Sequence, residues 1–219
     1  MDLSTWNPPP APPDDLDFDG RHVRLERFKA NRHGAPIHAR AKDCPDMWAY
    51  LPYGPFRDAI AYGAAIEEFD GAEDQLFFAL FDKDLGDFAG HASYLRINPS
   101  HGTIELGHIA LTPSMQRSRA ATEAWALMMG WAFDAGYRRF EWKCNAANAA
   151  SRRAAERLGF TFEGVHRQAM IVKGMNRDTA WYSVLDSEWP SVRGGLSAWL
   201  DPENFTAEGR QKKRLSALR

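Results

Sequence analysis

Cysteine is scarce in this sequence. Cys44 and Cys144 are the only two among 219 residues, and neither stands in a CxxC or Cys/His spacing typical of metal ligation. We therefore expect neither a disulfide framework nor a metal site. So little cysteine fits a reducing compartment, and the sequence favours a cytoplasmic protein.

Long apolar runs are missing as well. No stretch approaches the roughly 18 apolar residues that a membrane-spanning helix needs. The opening segment, MDLSTWNPPPAPPDDLDFDG, is acidic and proline-rich, and it lacks the basic start and apolar core of a signal peptide. We expect no association with a membrane.

The sequence also lacks an excess of positive or negative charge. Lys and Arg number 27 and Asp and Glu number 29, which leaves a formal net charge of −2. Nucleic-acid binding relies on concentrated positive charge, so we expect no nucleic-acid partner. The basic cluster GRQKKR near the C-terminus is more typical of a solvated helix face than of a binding patch.

The chain has enough apolar residues for a full core, because 44% of it is hydrophobic and 12% aromatic. Five prolines in PPPAPP remove backbone donors, so segment 1–20 should form an extended arm. We expect one folded domain over 21–189 and a helical extension over 190–219. Trp6 in the arm and Trp199 in the extension could supply a homodimer contact.

Two periodicities alternate along the first half of the domain. Strand alternation appears in HVRLERF, QLFFALFD, DFAGHASYLRIN and TIELGHIALT, and Gly- and Pro-containing turns separate the last three. Between the first two strands, Ala30 to Phe69 has helical spacing interrupted by prolines, which predicts two helices. From Gln116 the spacing is helical again, and Gly136 should end that helix after Ala135.

The second half continues the alternation. YRRFEWKCN predicts a strand, and ASRRAAERLGF predicts a short helix ended by Gly159. FEGVHRQAMIVKG and DTAWYSVLD predict two last strands around a turn from Gly174 to Arg177. Antiparallel strands with a helical crossover between two of them predict an α/β fold, or α+β, built on one mixed sheet.

Two segments carry a resemblance to a known family. The order of ELGHIALTPSMQRSRAATEA, a strand, and NAANAASRRAAERLGFTFEG resembles the GNAT acyltransferase superfamily, in particular its RimJ/RimL-like branch. The resemblance covers about Gly20 to Trp189. It implies a central, mostly antiparallel sheet with a splayed parallel strand pair and helices on both faces. It also implies acetyl-CoA as the cofactor.

The family's phosphate-binding signature is Gln or Arg, two residues, Gly, one residue, then Gly or Ala. Gln116 and Ala121 match its ends, whereas Arg119 replaces the middle glycine. Backbone N–H groups at a helix start hold the pyrophosphate, so Arg119 is tolerable if its backbone is helical and its side chain points away. An ordinary helix start is the alternative interpretation. The predicted contacts are Gln116, Arg117, Ser118, Arg119, Ala120, Ala121 and Thr122.

A second cluster follows the next strand. Asn148 and Ser151 are typical of a helix N-cap and a polar first turn. By resemblance, Asn148 binds the pantetheine or phosphate region, and Ser151 lies beside the thioester sulfur, where its hydroxyl could protonate the departing thiolate. Arg153, and Arg152 beside it, are candidates for the 3′-phosphate, with solvated helix charge as the alternative.

Acyl transfer to an amine also needs a base and an oxyanion donor. Glu105 on TIELGHIAL is the best-placed acid, and His108 is the second candidate. A bulge after Gly107 would re-aim these side chains. The backbone N–H groups of Ile109, Ala110 and Leu111 should bind the cofactor amides and polarise the acetyl carbonyl.

The resulting hypothesis is an acetyl-CoA-dependent N-acetyltransferase. Its acceptor would be a primary amine, either a protein N-terminal α-amine or a small-molecule amine. A non-catalytic acyl-CoA-binding regulatory module is the alternative, and the pair Glu105 and Ser151 favours the enzyme. A nucleotide- or nucleic-acid-binding protein using QRSRAA and the basic tail is a third interpretation.

Overall fold

The structure, a computed structural model, describes residues 2–219. Across these residues it has eight strands and five α-helices. None of these helices has the length and apolarity needed to cross a bilayer. In chain order the elements are β1 Phe18–Asp19, β2 Val23–Arg27, α1 Ala30–Ala41, α2 Ala59–Asp70, β3 Leu76–Asp82, β4 Asp87–Asn98, β5 Thr103–Leu111, α3 Arg119–Asp134, β6 Arg139–Asn145, α4 Ala149–Leu158, β7 Thr161–Val172, β8 Met175–Leu185 and α5 Trp189–Leu200.

All eight strands form one sheet in the order β1-β2-β3-β4-β5-β6-β8-β7. The central pair, β5 and β6, is parallel, and α3 connects its strands. Their pairing covers only Thr103–Glu105 beside Arg139–Glu141, although the strands continue to Leu111 and Asn145. The sheet therefore opens in its middle beyond Glu105. The predicted mixed sheet with a splayed parallel pair is confirmed.

Apolar side chains cover both faces of the sheet. Along β3, Phe77 belongs to the core layer under α1 and α2, whereas the next residue, Phe78, belongs to the layer under α3 and α5. This alternation is the period of two that a strand buried on both faces requires. On α3, Ala124, Met128 and Ala132 repeat at four-residue spacing and are fully buried.

Most predicted elements are confirmed, with differences at their ends. Helix α3 begins at Arg119 rather than Gln116, because Ser118 caps it. The predicted turn from Gly174 to Arg177 was wrong. Lys173 and Gly174 both have positive φ, of 50° and 77°, and they close a two-residue hairpin, so β8 already begins at Met175.

The C-terminal segment folds back on the domain. After α5, the Asn204 side chain donates to the carbonyls of Trp199 and Lys213 and accepts from the Lys213 N–H at 2.9 Å. Trp199 is only 4% exposed, and Trp6 packs against Arg138. Both tryptophans therefore contact their own chain.

Candidate active site

A groove of about 1770 Å³ runs through the opening in the sheet. Strand β5 and the start of α3 line it on one side, and β6 and α4 line it on the other. Segment 43–52 and the β7–β8 hairpin add residues at one end, and parts of 199–219 add residues at the other. Of the predicted site residues, the groove brings together Glu105, His108, Ile109, Leu111, Gln116, Arg117, Ser118, Arg119, Ala121, Thr122, Asn148, Ser151 and Arg153.

The start of α3 presents free backbone donors to this groove. Ser118 has an extended backbone, and its Oγ accepts the Ala121 N–H at 3.0 Å. The N–H groups of Arg117, Arg119 and Ala120 have no acceptor within residues 2–219. Free amides at the positive end of a helix dipole form a site suited to a phosphate. This part of the chain therefore fits the pyrophosphate of coenzyme A.

The position of the arginine in place of glycine is explained by the backbone. Arg119 is the first residue of α3 and has a helical conformation, as predicted. The left-handed residue of the turn is Arg117, with φ of 61°. The Arg119 side chain lies 3.6 Å from Asp84 and 4.9 Å above the Phe205 ring, and both of these residues also line the groove. A helical backbone at Arg119 does not require glycine.

Other side chains of this turn bond within the protein. Gln116 Nε2 donates to the Leu111 carbonyl at 3.0 Å and ties the turn to the end of β5. The Thr122 hydroxyl donates to the Ser118 carbonyl at 3.2 Å and accepts from Arg157 at 3.3 Å. Its donor is thus directed along the helix.

Asn148 and Ser151 meet at the start of α4. Asn148 is the N-cap, and its Oδ1 accepts the Ser151 N–H at 3.0 Å. Ser151 Oγ accepts a bond from Trp142 Nε1 at 3.1 Å, so its own proton is available to another acceptor. The capping interpretation and the binding interpretation are compatible, because both residues also line the groove.

The adjacent residues Arg152 and Arg153 of α4 have different surroundings. Arg153 is exposed and lines the groove. Arg152 instead donates from Nε to the Tyr182 hydroxyl at 3.0 Å and lies over the Phe162 ring. Arg153 is therefore the better placed of the two to meet a phosphate in the groove.

Glu105 stands where β5 and β6 separate. It is only 1% exposed, and it is the last residue of β5 that pairs with β6. Its Oε2 lies 3.3 Å from Arg96 Nε and 3.5 Å from Lys143 Nζ, although neither contact has hydrogen-bond geometry. Burial raises the pKa of Glu105 to about 7, while Lys143 and Arg96 oppose this rise. A carboxyl with this pKa can exchange a proton near neutral pH.

A bulge re-aims the strand immediately after Glu105. His91 of β4 pairs with Ala110 and Ser93 pairs with Gly107, so two residues of β5 face one of β4. His108 lies in this bulge with φ of 48°. The side chains after Gly107 are therefore re-aimed, as the sequence indicated for the case of a bulge.

His108 belongs to a buried polar chain. Its Nδ1 bonds the Tyr53 hydroxyl at 3.0 Å, which also bonds His91 Nε2 at 3.0 Å. His91 Nδ1 in turn bonds the Tyr62 hydroxyl at 2.7 Å. Burial lowers the pKa of His108 to about 4 and that of His91 to about 3, so both rings are neutral at pH 7. Glu105 is therefore the stronger candidate for the base.

The residues after the bulge differ in exposure. Ile109 and Leu111 line the groove, whereas the Ala110 side chain is buried in the core under α1 and α2. Ala120, the second residue of α3, is likewise buried. These alanines can contribute backbone atoms only.

Segment 43–52 spans one end of the groove. The Tyr50 hydroxyl donates to the Ala147 carbonyl at 3.4 Å, across the groove from its own segment. Lys173 Nζ, at the tip of the β7–β8 hairpin, donates to the Trp48 carbonyl at 2.9 Å. Met170 and Arg177 of that hairpin also line the groove. These contacts enclose a compartment next to Glu105.

Sequence reasoning missed four charged groove or site residues. Arg96 escapes the strand pattern because a second bulge, where its φ is 50°, turns it toward Glu105. Lys143, Arg157 and Arg177 look like ordinary surface charges in a strand or helix. Tyr94 on β4 and Tyr182 on β8 are fully buried and belong to the core.

A sheet opened at a buried carboxyl, with a helix start suited to a phosphate beside the opening, is compatible with an acyltransferase that uses a coenzyme A thioester. The profile of the acetyltransferase (GNAT) domain family matches residues 22–161. The chain belongs to this family and is an N-acetyltransferase. Membership implies acetyl transfer from acetyl-CoA. No curated protein matches the chain.

Solved structures agree with this assignment. A GCN5-related N-acetyltransferase from Brucella melitensis is 46% identical, with 99% of both chains covered and a TM-score of 0.94. A probable GNAT-family acetyltransferase from Chromobacterium violaceum is 39% identical over 87% of this chain and 96% of that one, with a TM-score of 0.82. The microcin C7 self-immunity acetyltransferase MccE, in complex with acetyl-CoA and AMP, is 22% identical over 76% and 93%, with a TM-score of 0.65, and shares the fold.

Proposed function

We propose that this enzyme transfers acetyl from acetyl-CoA directly to a primary amine, with Glu105 as the base. The observation that carries the proposal is the buried Glu105 carboxyl at the point where β5 and β6 separate. Its burial raises the pKa of Glu105 to about 7, which suits a base. The acceptor is a small-molecule amine or a protein N-terminal α-amine. We also propose that the chain belongs to the RimJ/RimL-like branch, supported by the segments 105–124 and 145–164. Its low cysteine content supports a cytoplasmic location.

The donor site follows from the free groups along the groove. The amides of Arg117, Arg119 and Ala120 would hold the pyrophosphate. Asn148 retains its Nδ2 donors after capping α4, and these would meet the pantetheine arm or a phosphate. Backbone groups of 109–111, beyond the β5–β6 pairing, would bind the pantetheine amides and the acetyl carbonyl. The bound thioester supplies the activated acetyl group.

The proposed chemistry assigns one proton transfer to each side of the thioester carbonyl. Glu105 takes a proton from the amine, directly or through water, as the new C–N bond forms. The C–S bond breaks and the departing thiolate takes the Ser151 proton. Water then returns a proton to Ser151, and Glu105 releases its proton to solvent, so both groups regain their starting states. His108 is neutral and hydrogen-bonded to Tyr53, and its proposed role is to shape the acceptor compartment.

The test of this function is free-thiol release from acetyl-CoA in the presence of a panel of primary amines. The enzyme predicts amine-dependent thiol release and one acetylated amine per thiol. Tight coenzyme A binding without turnover across a broad panel would instead support the non-catalytic acyl-CoA-binding module. Binding of the protein to nucleic acid, with an affinity that falls steeply as the salt concentration rises, would favour the nucleic-acid interpretation.

The domain organisation also has a proposed functional meaning. We propose that 1–20 is an arm, that 21–189 is the catalytic domain, and that the extension 190–219 completes the nucleotide end of the donor site. Arg157 of α4 lies 4.6 Å above the Trp199 ring. It lines the groove and pairs with no carboxylate within residues 2–219. An unmatched guanidinium at this end fits the 3′-phosphate of coenzyme A.

Arg157→Ala should raise the KM for acetyl-CoA by about 5- to 20-fold and change kcat by less than about twofold, because a phosphate contact of about 1–2 kcal/mol is lost. The KM for acetylpantetheine, which lacks the nucleotide, should be unchanged. Arg193→Ala is the matched control, since Arg193 is an exposed arginine paired with Asp134. Equal KM increases for both donors would show that Arg157 acts only through the fold.

A further inference from the structure

Arg177 is a charged residue of the groove for which the proposed reaction has no use. It lies on β8, paired in register with Met170 of β7, and both side chains line the groove at the compartment next to Glu105. Two residues further along β8, Thr179 pairs with Asn145, the last residue of β6. Arg177 therefore stands just past the end of β6, on the acceptor side of the opening.

The Arg177 guanidinium has no partner in the part of the chain that the structure describes. Its Nε is buried without a hydrogen bond, and no carboxylate among residues 2–219 forms an ion pair with it. Burial lowers its pKa, although Glu105 and Cys144 partly oppose this effect. A half-buried charge without a partner costs free energy in the folded protein, which is unusual unless a ligand supplies the partner.

The cations around Arg177 have carboxylate partners, whereas Arg177 has none among the described residues. Three neighbouring cations contact three carboxylates through N–O distances between 2.6 and 3.7 Å. These are Arg96, Arg139 and Lys143 with Glu105, Glu141 and Glu163. Across the compartment, Asp43 and Asp46 are exposed at the rim on segment 43–52, and neither pairs with Arg177.

We propose that Arg177 binds an anionic group of the acceptor, so that the enzyme acetylates amines that also carry a carboxylate or a phosphate. The planar guanidinium can hold either group through two parallel hydrogen bonds. Bound this way, the acceptor's anionic end lies at the hairpin and its amine can reach Glu105. Polycationic amines would meet Arg177 and Lys143 as like charges. The inference rests on the proposed function, because it names the substrate class of the same site.

The test compares matched amines that differ in one anionic group. Phenylalanine with phenylalaninamide tests a carboxylate, O-phosphoethanolamine with ethanolamine tests a phosphate, and spermidine represents polycations. We expect the parent enzyme to prefer the anionic member of at least one pair by tenfold or more in kcat/KM. The pair that shows the preference identifies carboxylate or phosphate as the recognised group. Preference for the neutral members or for spermidine would overturn the proposal.

Arg177→Gln should lower kcat/KM for the preferred anionic amine by about 10- to 100-fold, as the loss of a charge-assisted pair worth about 1.5–3 kcal/mol predicts. In the same variant, kcat/KM for the neutral amine and the KM for acetyl-CoA should change by less than threefold. Arg177→Lys keeps the positive charge, so it should restore part of the preference for the anionic amine. Arg167→Gln, on an exposed arginine of β7, is the control. Equal losses for both members of a pair would reduce Arg177 to a structural role.

A binding measurement separates this inference from the proposed reaction. The parent, saturated with coenzyme A, is titrated with the anionic amine and with its neutral counterpart by calorimetry. Selective binding that Arg177→Gln abolishes supports the anion site even if no acetyl transfer occurs. Acetyl transfer without any anionic preference in binding or rate rejects the anion site and leaves the proposed function intact.

Discussion

Glu105→Gln should lower kcat/KM by about 10²- to 10⁴-fold, the range expected when a general base is removed. The parent's rate should fall as the pH drops through about 7, because protonation of Glu105 removes the base. The variant should lack this acidic limb. Its loss should be greatest between pH 7 and the pKa of the acceptor amine, where the parent's carboxylate is ionised and the amine still needs deprotonation.

The measurement is the pH–rate profile of both enzymes with one amine. Glu141→Gln is the informative control, since Glu141 lies beside Glu105 but pairs with Arg139 at 2.6 Å. The Glu141 charge raises the pKa of Glu105, so its removal should move the acidic limb to lower pH while largely preserving the maximal rate. An unchanged profile for Glu105→Gln would remove Glu105 as the base.

The same variant offers a check on folding. The folded-state pKa of Glu105 lies above its ordinary value of 4.5, so the ionised carboxylate destabilises the fold. Relative to the parent, Glu105→Gln should therefore become more stable as the pH rises from about 4.5 to about 7. A melting comparison at pH 5 and pH 8 measures this trend and shows that lost activity is not lost folding.

Glu123→Ala should lower the free energy of unfolding by about 3 kcal/mol, because one carboxylate serves three backbone donors. Glu123 lies on α3 and accepts the N–H groups of Arg21, His22 and Val23 at 2.9, 2.6 and 3.0 Å. These bonds join the start of β2 to the first turns of α3. The melting temperature should fall by about 6–12 °C for a domain of this size.

Thermal or denaturant unfolding measures this effect. Glu123→Gln keeps one acceptor oxygen, so it should lose less stability than the alanine variant. Glu68→Ala on α2 is the matched control, because Glu68 is exposed and should matter by less than about 0.5 kcal/mol. A loss in Glu123→Ala no larger than that of the control would mean that water replaces the carboxylate at all three amides.

The fold was largely predictable because its elements carry strong periodicity. Strand β3 alternates between two core layers, and α3 places a buried residue every fourth position on one stripe. The residues at which elements begin and end were less predictable. The sequence does not reveal that Lys173 adopts a positive φ, and this conformation moves the start of β8 to Met175.

The helix start of the proposed donor site was more predictable than the surroundings of Glu105. A helix start depends on local sequence, so one near Arg119 could be predicted even without the glycine. Arg96, Lys143 and Arg177 converge on the compartment beside Glu105 from three different strands. Such convergence depends on bulges and register, which a single sequence does not display.

The chain of hydrogen bonds from His108 through Tyr53 and His91 to Tyr62 fixes the position of α2 relative to β4 and β5. Apolar contacts alone would let α2 slide or rotate on the sheet at little cost in free energy. With these hydrogen bonds, any such shift leaves a buried hydroxyl or ring nitrogen without its partner, which is costly. Because His108 borders the groove, the fit of the helices to the sheet also sets the shape of the acceptor compartment. Exposed residues of α2 can therefore be replaced while Tyr62 keeps the helix in its place beside the compartment.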